Sequence, residues 1–347
     1  MDFSFTPEQD ELRATVRRFF ARDDAPLWTQ LTGQLGVTAL AIPEEYGGFG
    51  ASLVEVAVVL EEAGAVLLAE PYLSTVVTAA ALGTAGASLL PGIADGTSVA
   101  TLGLAEPRTG FDLARMSCVA RRAGDGYAVD GVKEFVFDGL RADVVVVAAY
   151  AEDGPGLFAV RVGDAGRTGH PTLDQTRPQA RFTFTATPAV RVGGVEATGR
   201  ALDLLWAAIA IESVGVARAS LAMTVEHLQT RQQFGVPLAT FQALRHRIAD
   251  LAVAIEAAAS CAWYAIRVAG TDEFAVAAPM AKLVAADAAY QVTAQGIQLH
   301  GGIGITWEHD AHRYFKRATA NRLLLGDPVV LRRILGTRAQ IGLTTSE

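Results

Sequence analysis

The sequence predicts an α+β protein in three parts: a helical N-terminal region, a small central β-barrel or sandwich, and a C-terminal bundle of four long helices. Three observations carry this. Apolar residues recur at helical spacing through the N-terminal region. Between Val99 and Val195 they fall into short β-like runs separated by turns. After Gly199 long helical runs return, with brief interruptions containing Gly or Pro. The corresponding domains are 1–96, 97–198 and 199–347.

Each element has its own signal. Thr6-Pro7-Glu8-Gln9 is a helix start: a threonine cap, proline at the first helical position, and Gln9 completing the capping pattern. Leu12, Val16, Phe19 and Phe20 then share one face. Trp28 to Ala41 reads as a short helix with turns. Pro43 to Gly50 reads as a loop, because its proline and glycines cannot propagate a helix. Leu53–Leu68 and Ser74–Ala85 are helical runs. The texture changes near Pro91. Ala100–Leu104, Cys118–Arg121, Tyr127–Val129, Val144–Ala149, Leu157–Val162 and Phe182–Phe184 are the expected strands. Gly124-Asp125-Gly126 signals a hairpin, and Arg181–Thr185 alternates with the period of a half-buried strand. The bundle is expected as Leu202–Gln233, Ala239–Ala269, Glu273–Leu299 and Trp307–Leu325.

Composition narrows the function. The 347 residues are 51% hydrophobic and 19% charged, with a net charge of −8. A net acidic chain lacks the basic face that nucleic acid demands. Cys118 and Cys261 are the only cysteines, too few for a disulfide scaffold or a cysteine zinc cluster. A mean hydropathy of +0.28 calls for a membrane, a large core or buried subunit contacts. The most apolar stretches, Val54–Ala69 and Ala201–Ala217, are broken by Glu55, Glu61 and Glu62, and by Asp203 and Glu212, which argues against a membrane span. The start MDFSFTPEQD has no basic n-region or apolar h-region. The expectation is a cytoplasmic protein with a packed core and packed subunit contacts. A Rossmann dinucleotide unit is not expected, since no G-x-G-x-x-G lies between a strand and a helix.

Five segments, in order, resemble the acyl-CoA dehydrogenase family. They are Ile42-Pro43-Glu44-Glu45-Tyr46-Gly47-Gly48; Leu104-Ala105-Glu106-Pro107; Gly126-Tyr127-Ala128-Val129-Asp130-Gly131-Val132-Lys133; Arg231-Gln232-Gln233-Phe234-Gly235 followed by Phe241-Gln242; and Gln298-Leu299-His300-Gly301-Gly302-Ile303-Gly304. The resemblance covers nearly the whole chain. It implies an FAD flavoprotein oxidoreductase of lipid metabolism that oxidises the Cα–Cβ bond of an acyl-CoA or other acyl thioester. A glutamate removes the α-proton and the flavin accepts the β-hydride. Hydrogen bonds must then stabilise an enolate-like transition state, and a desolvated carboxylate suits the base. The cofactor does the redox step and the protein orients it.

The resemblance assigns the FAD contacts residue by residue. Arg231 matches the arginine that meets the diphosphate of an FAD bound mainly by a neighbouring subunit, and a planar cation suits that group. Phe234 matches an aromatic that packs on the cofactor, and Gln242 a polar contact. Gln298, Gly301 and Gly302 match the segment approaching the adenosine end, where missing side chains admit the backbone. Leu104 and Ala105 match the start of the flavin-binding β-domain. Phe135 packs on the ring or in the barrel core. The hydroxyl that meets flavin N5 in the family falls at Phe137, which cannot donate that bond. Arg108-Thr109-Gly110-Phe111-Asp112 replaces the family's Gly-rich, Ser-containing turn.

Both family positions for the glutamate are leucine here, Leu325 and Leu205. Three carboxylates stand as substitutes. Glu212 shares a helix face with Leu205 but lies about 10 Å along it. Asp327 sits two residues past Leu325. Glu308 is close to the glycine turn. His309 and His312, at i and i+3, can chelate, but with Asp310 they specify no third ligand and no metal site is assigned. Three functions are open: an active dehydrogenase with FAD; a subunit of a homo- or hetero-oligomer with another dehydrogenase-like subunit, donating half of an FAD site; and a non-enzymatic scaffold or acyl-binding protein. The lost base beside retained Arg231, Phe234, Gly301 and Gly302 favours the second. Electron-transfer flavoprotein is the electron acceptor the resemblance implies. Bulky Trp206, near the expected acyl pocket, signals a short pocket or a blocked one.

Overall fold

A computed structural model describes residues 4–22 and 28–340. The chain divides into two compact units, residues up to 59 with 69–205, and 60–68 with 206 onward.

In the first unit, α1 (Pro7–Phe20) begins as expected: Gln9 N donates to Thr6 Oγ1 at 3.3 Å, and Thr6 N donates to Gln9 Oε1 at 3.1 Å. α2 (Trp28–Gly33) and a 3-10 turn at Val37–Ala39 follow, and then the start of α3 (Leu53–Ala65). α4 spans Tyr72–Leu82 and ends three residues before the expected Ala85, because Gly83 turns to φ +49. α5 is the short Leu90–Ala94.

Seven strands follow: β1 (Ala100–Gly103), β2 (Val119–Ala123), β3 (Gly126–Phe137), β4 (Val144–Ala151), β5 (Gly154–Arg161), β6 (Gly166–Gly169) and β7 (Gln179–Gly193). β4 pairs with β5 as well as with β1 and β2, and β5 also pairs with β7, so β4, β2, β3, β7 and β5 close a ring. That closure decides for a barrel over a sandwich and leaves β1 and β6 as side additions. Its core includes Val145, Val147, Phe158, Val160, Phe182 and Phe184. The expected hairpin is present: Ala123 pairs Gly126 across Gly124 and Asp125. Along Arg181–Thr185 burial alternates as the sequence does. β3 and β7 are much longer than their apolar runs, and β6 has no sequence signal. β3 continues through charged Asp130, Lys133 and Glu134 because the register shifts at Gly131 and again before Val136. Gly131 needs glycine: its φ is +137, and a Cβ would meet Cys118 Sγ at 2.8 Å.

The second unit is helical, with the later part of α6 (Val195–Thr230), α7 (Gln242–Arg267), α8 (Phe274–His300), α9 (Ala311–Leu323) and α10 (Pro328–Arg338). Its core gathers Val216, Ala217, Leu251, Ile255, Ala289, Val292 and Ala318. The four expected bundle helices are there, with shifted ends. α6 starts at Val195 rather than Leu202, because β7 gives way directly to it after Gly193. It stops at Thr230: the expected helical stretch to Gln233 is instead a small hairpin of β8 (Gln232–Gln233) and β9 (Val236–Pro237). Phe234 and Gly235 turn it with φ +55 and +82. α9 starts at Ala311 rather than Trp307, after a 3-10 turn at Gly301–Ile305. α10 is additional. Its start, Asp327-Pro328, has the same cap-plus-proline pattern as Thr6-Pro7 and was legible by that rule.

α6 and α7 are long and apolar enough to cross a membrane by length and composition, which the broken runs of the sequence argued against. In α6, 83% of the apolar window is buried inside the fold, the condition of a core helix.

Candidate functional site

One group of expected cofactor residues gathers at the exposed side of the second unit. Arg231 follows the last turn of α6, and its N–H bonds back to the carbonyl of His227 at 2.9 Å. Its guanidinium has no ion-pair partner among the described residues. Phe234, at the hairpin tip, is 90% exposed, and Phe241 meets it edge-on at 6.1 Å. Gln242 opens α7 and is exposed, as is Gln298 in the last turn of α8. Gly301 has φ +67, and a Cβ at Gly301 or Gly302 would meet nothing within 4 Å. The backbone there is open to an incoming group. An unpaired cation, an exposed aromatic ring and bare backbone fit a diphosphate-bearing aromatic ligand. FAD suits these residues.

In the barrel, Leu104 and Ala105 are buried, and their carbonyls are occupied by Lys133 Nζ at 3.3 Å and Glu134 N at 2.9 Å. Lys133 also pairs with Glu106 at 2.8 Å, both side chains fully buried. Glu106 further accepts from Ser117 N, Ser117 Oγ and Cys118 N at 2.7, 2.6 and 3.0 Å. Burial alone would raise the Glu106 carboxyl. The Lys133 ammonium and the hydrogen bonds from Lys133 and Ser117 outweigh it and hold the group at about 2. This knot fixes the strand end that the resemblance gives to the flavin, and the sequence offered no signal for it. Phe135 is 50% exposed at φ +54, so it lies at the barrel surface and not in its core. Its ring packs on His170, which bonds Glu134 at 2.7 Å. Phe137 is buried under the Arg177 guanidinium and supplies no donor. The barrel end thus fits packing against a ring, and not the family's hydrogen bond to flavin N5.

Leu205 is buried and Leu325 half-buried at φ +54. Around Leu325 the 322–327 turn is tightly held. Trp206 Nε1 donates to Leu325 O at 2.8 Å, and Lys282 Nζ donates to the carbonyls of Arg322 and Gly326. Burial pushes the Lys282 ammonium down to about 7, against the pull of Asp327 and Asp287. Trp206 is fully buried and spent on this turn.

Of the three substitute carboxylates, two are already engaged and one is exposed. Glu212 is 3% exposed and accepts from Arg317 Nη1 at 2.8 Å and Asn321 Nδ2 at 3.0 Å. A carboxylate held by two buried donors is structural. Asp327 caps α10, accepting from Val329 N at 2.8 Å and Val330 N at 2.9 Å, and the Val330 N–H leads in lowering its carboxyl. Glu308 is exposed on the turn before α9. His309 Nδ1 accepts from Ala311 N at 3.1 Å, and His312 packs its ring on Trp307. No group of three potential metal ligands gathers among the described residues.

Comparisons with known proteins show the family. A model of the acyl-CoA dehydrogenase C-terminal domain matches residues 193–340, and one of the N-terminal domain matches 6–97. Acyl-CoA dehydrogenase IpdE2 of Mycobacterium tuberculosis is 36% identical over 329 residues, covering 92% of this chain and 90% of that protein. Among solved structures, a variant of the Tcur3481–Tcur3483 steroid ACAD superposes with TM-score 0.89 at 33% identity, covering 96% of this chain and 98% of the other. The ChsE4–ChsE5 complex from Mycobacterium tuberculosis gives TM-score 0.90 at 26% identity, covering 98% and 99%.

Proposed function

Because the chain belongs to the acyl-CoA dehydrogenase family, a family of flavoprotein oxidoreductases, we propose that it serves as one subunit of a heteromeric acyl-CoA dehydrogenase. In this reading it donates half of an FAD site, and a second dehydrogenase-like subunit supplies the flavin-ring pocket and the base. The observation that carries the reading is an asymmetry within one chain. Arg231, Phe234, Gly301 and Gly302 lie open and unpaired, while Leu325, Leu205 and Phe137 leave the proton-abstracting and N5-bonding places without a functional group.

Each of this chain's residues then has a limited task. Arg231 neutralises diphosphate charge, and its planar fork suits two oxygens at once. Phe234 covers an aromatic surface of the cofactor. Gly301 and Gly302 let the backbone approach the adenosine end. The Lys133–Glu106 knot keeps the Leu104–Ala105 strand end rigid. FAD, when bound, supplies the two-electron acceptor for α,β-dehydrogenation of the thioester. For the acyl group we favour a bulky, ring-containing one. The steroid enzyme among the similar structures supports this, as does a buried Trp206 that leaves acyl space to the partner. Electron-transfer flavoprotein is the proposed acceptor.

The test is Arg231→Ala in the co-purified assembly. FAD content per assembly should fall severalfold, since the substitution removes a charge-assisted bidentate contact. Unchanged FAD content with intact assembly would refute the donated half-site. An assembly that never binds FAD would leave a scaffold or acyl-binding role.

A further inference from the structure

Three imidazoles meet where the two open segments begin. His227 lies in the last turn of α6, four residues before Arg231. His300 is the last residue of α8, directly before Gly301. His309 lies in the turn before α9. The ring of His300 packs against His227 at 4.4 Å and 32°, and against His309 at 4.4 Å and 52°. The 301–305 turn folds over the same side chain: a Cβ at Gly304 would meet His300 Cβ at 3.0 Å and Ile297 O at 2.9 Å. The stack is thus a direct side-chain link between the end of α6, which leads into Arg231 and Phe234, and the end of α8, which leads into Gly301 and Gly302.

Resting on the half-site reading, we propose that His227, His300 and His309 are positioning residues. They hold the Arg231–Phe234 and Gln298–Gly302 segments in the arrangement that receives the cofactor, and do so only while the His300 ring is uncharged.

The protonation states follow from hydrogen bonding. His300 Nδ1 lies 2.7 Å from the Gly296 carbonyl, which can only accept, so Nδ1 carries the proton. Nε2 is then a bare acceptor, buried and without a partner. His300 as a whole is 5% exposed. A proton added at Nε2 would be a buried N–H⁺ with no acceptor, packed on two other imidazoles. His309 Nδ1 accepts from Ala311 N–H at 3.1 Å, which fixes the orientation of this ring. Burial, then His309 and Arg231, lower His227. Burial, then His227 and His309, lower His300 against the opposing Gly296 bond. Arg231, just past the end of α6, adds repulsion on His227. Asp310 just before α9, and Arg313 and Lys316 on it, act on His312, as does His309. Since the folded state disfavours the charged ring, the arrangement is intact above the ordinary value of 6.5 and lost as pH falls below it.

The experiment uses the co-purified assembly and the full chain alone. FAD retained after gel filtration is compared at about pH 7.5 and about pH 5.5 for wild type, His300→Phe and His300→Ala. Wild type should lose up to about tenfold in FAD affinity on acidification. His300→Phe keeps a ring without a titrating nitrogen and should hold FAD equally at both pH values. His300→Ala removes the ring and should lose FAD already at the higher pH. In parallel, amide exchange protection of residues 232–238 and 301–305 is measured on the wild-type chain alone, corrected for intrinsic rates. Protection should drop severalfold at the lower pH. Wild-type FAD affinity and protection that are flat with pH, or a His300→Phe assembly as acid-sensitive as wild type, would overturn the proposal. If no assembly binds FAD, the half-site reading fails, and the exchange measurement still decides whether the stack holds the turn.

Discussion

Replacing Glu212 separates a structural carboxylate from a catalytic one. Glu212 and Arg317 pair at 2.8 Å with side chains 3% and 0% exposed, and Asn321 Nδ2 adds a bond at 3.0 Å. In Glu212→Gln the buried guanidinium loses the Glu212 charge at 2.8 Å. Breaking one side of a buried pair costs about 3–5 kcal/mol, because the abandoned ion is desolvated and uncompensated. At about 2.1 cal/mol/K per residue, 347 residues give an unfolding entropy of about 0.7 kcal/mol/K, so the melting temperature should fall by about 4–7 °C. Arg317→Met should cost a similar amount. Glu212→Leu with Arg317→Met should cost less than the two single changes together, since neither charge is then stranded. Thermal and urea unfolding of the purified chain read these values. If Glu212→Gln is within about 1 kcal/mol of wild type yet abolishes turnover in the assembly, Glu212 is the base and the assignment here is wrong.

Two helix glycines carry a prediction of reversed sign. Gly→Ala in a helix ordinarily stabilises by up to about 1 kcal/mol. A Cβ at Gly64 would lie 2.2 Å from Glu212 O, and one at Gly215 1.9 Å from Glu61 O, so Gly64→Ala and Gly215→Ala should each destabilise by about 2–3 kcal/mol. Gly199→Ala, whose Cβ meets nothing within 4 Å, is the control and should be neutral or stabilising in the same urea titration. Lys282 predicts a pH dependence. Its ordinary value of 10.5 falls to about 7 in the fold, so the unfolded chain binds more protons between these values and stability rises with pH across that window. Urea unfolding of wild type should show that rise between about pH 7 and pH 9.5, and Lys282→Met should not. An equal slope in both would show that the Lys282 ammonium is not what titrates.

The fold was legible where one rule sufficed. Thr6-Pro7 started a helix, Gly124-Asp125-Gly126 turned a hairpin, and the apolar run Val144–Ala149 made a fully buried strand. It was illegible where tertiary partners override local pattern. Lys133 and Glu134 look like surface residues in sequence, yet both are buried in ion pairs, with Glu106 and Arg181, and β3 runs through them. The hairpin after Arg231 hid because Gln232 and Gln233 suit a helix, and only the left-handed turn at Phe234 and Gly235 stops it. At the site, the family motifs pointed to Arg231, Gln298 and Gly301, residues whose proposed roles rest on their own chemistry. The roles of Glu212 and Asp327 could not be read this way. A carboxylate in sequence does not show whether its oxygens already have partners, and here Arg317, Asn321 and the α10 N-terminus take them. The histidine stack was invisible for the same reason: its members come from three separate segments.

The most direct measurement is the flavin content and turnover of the chain purified alone, beside the same chain co-purified with its dehydrogenase-like partner. We expect a colourless chain that reduces no electron acceptor with an acyl thioester, and a yellow assembly that does. A chain that alone holds stoichiometric FAD and oxidises an acyl thioester would contradict the donated half-site outright.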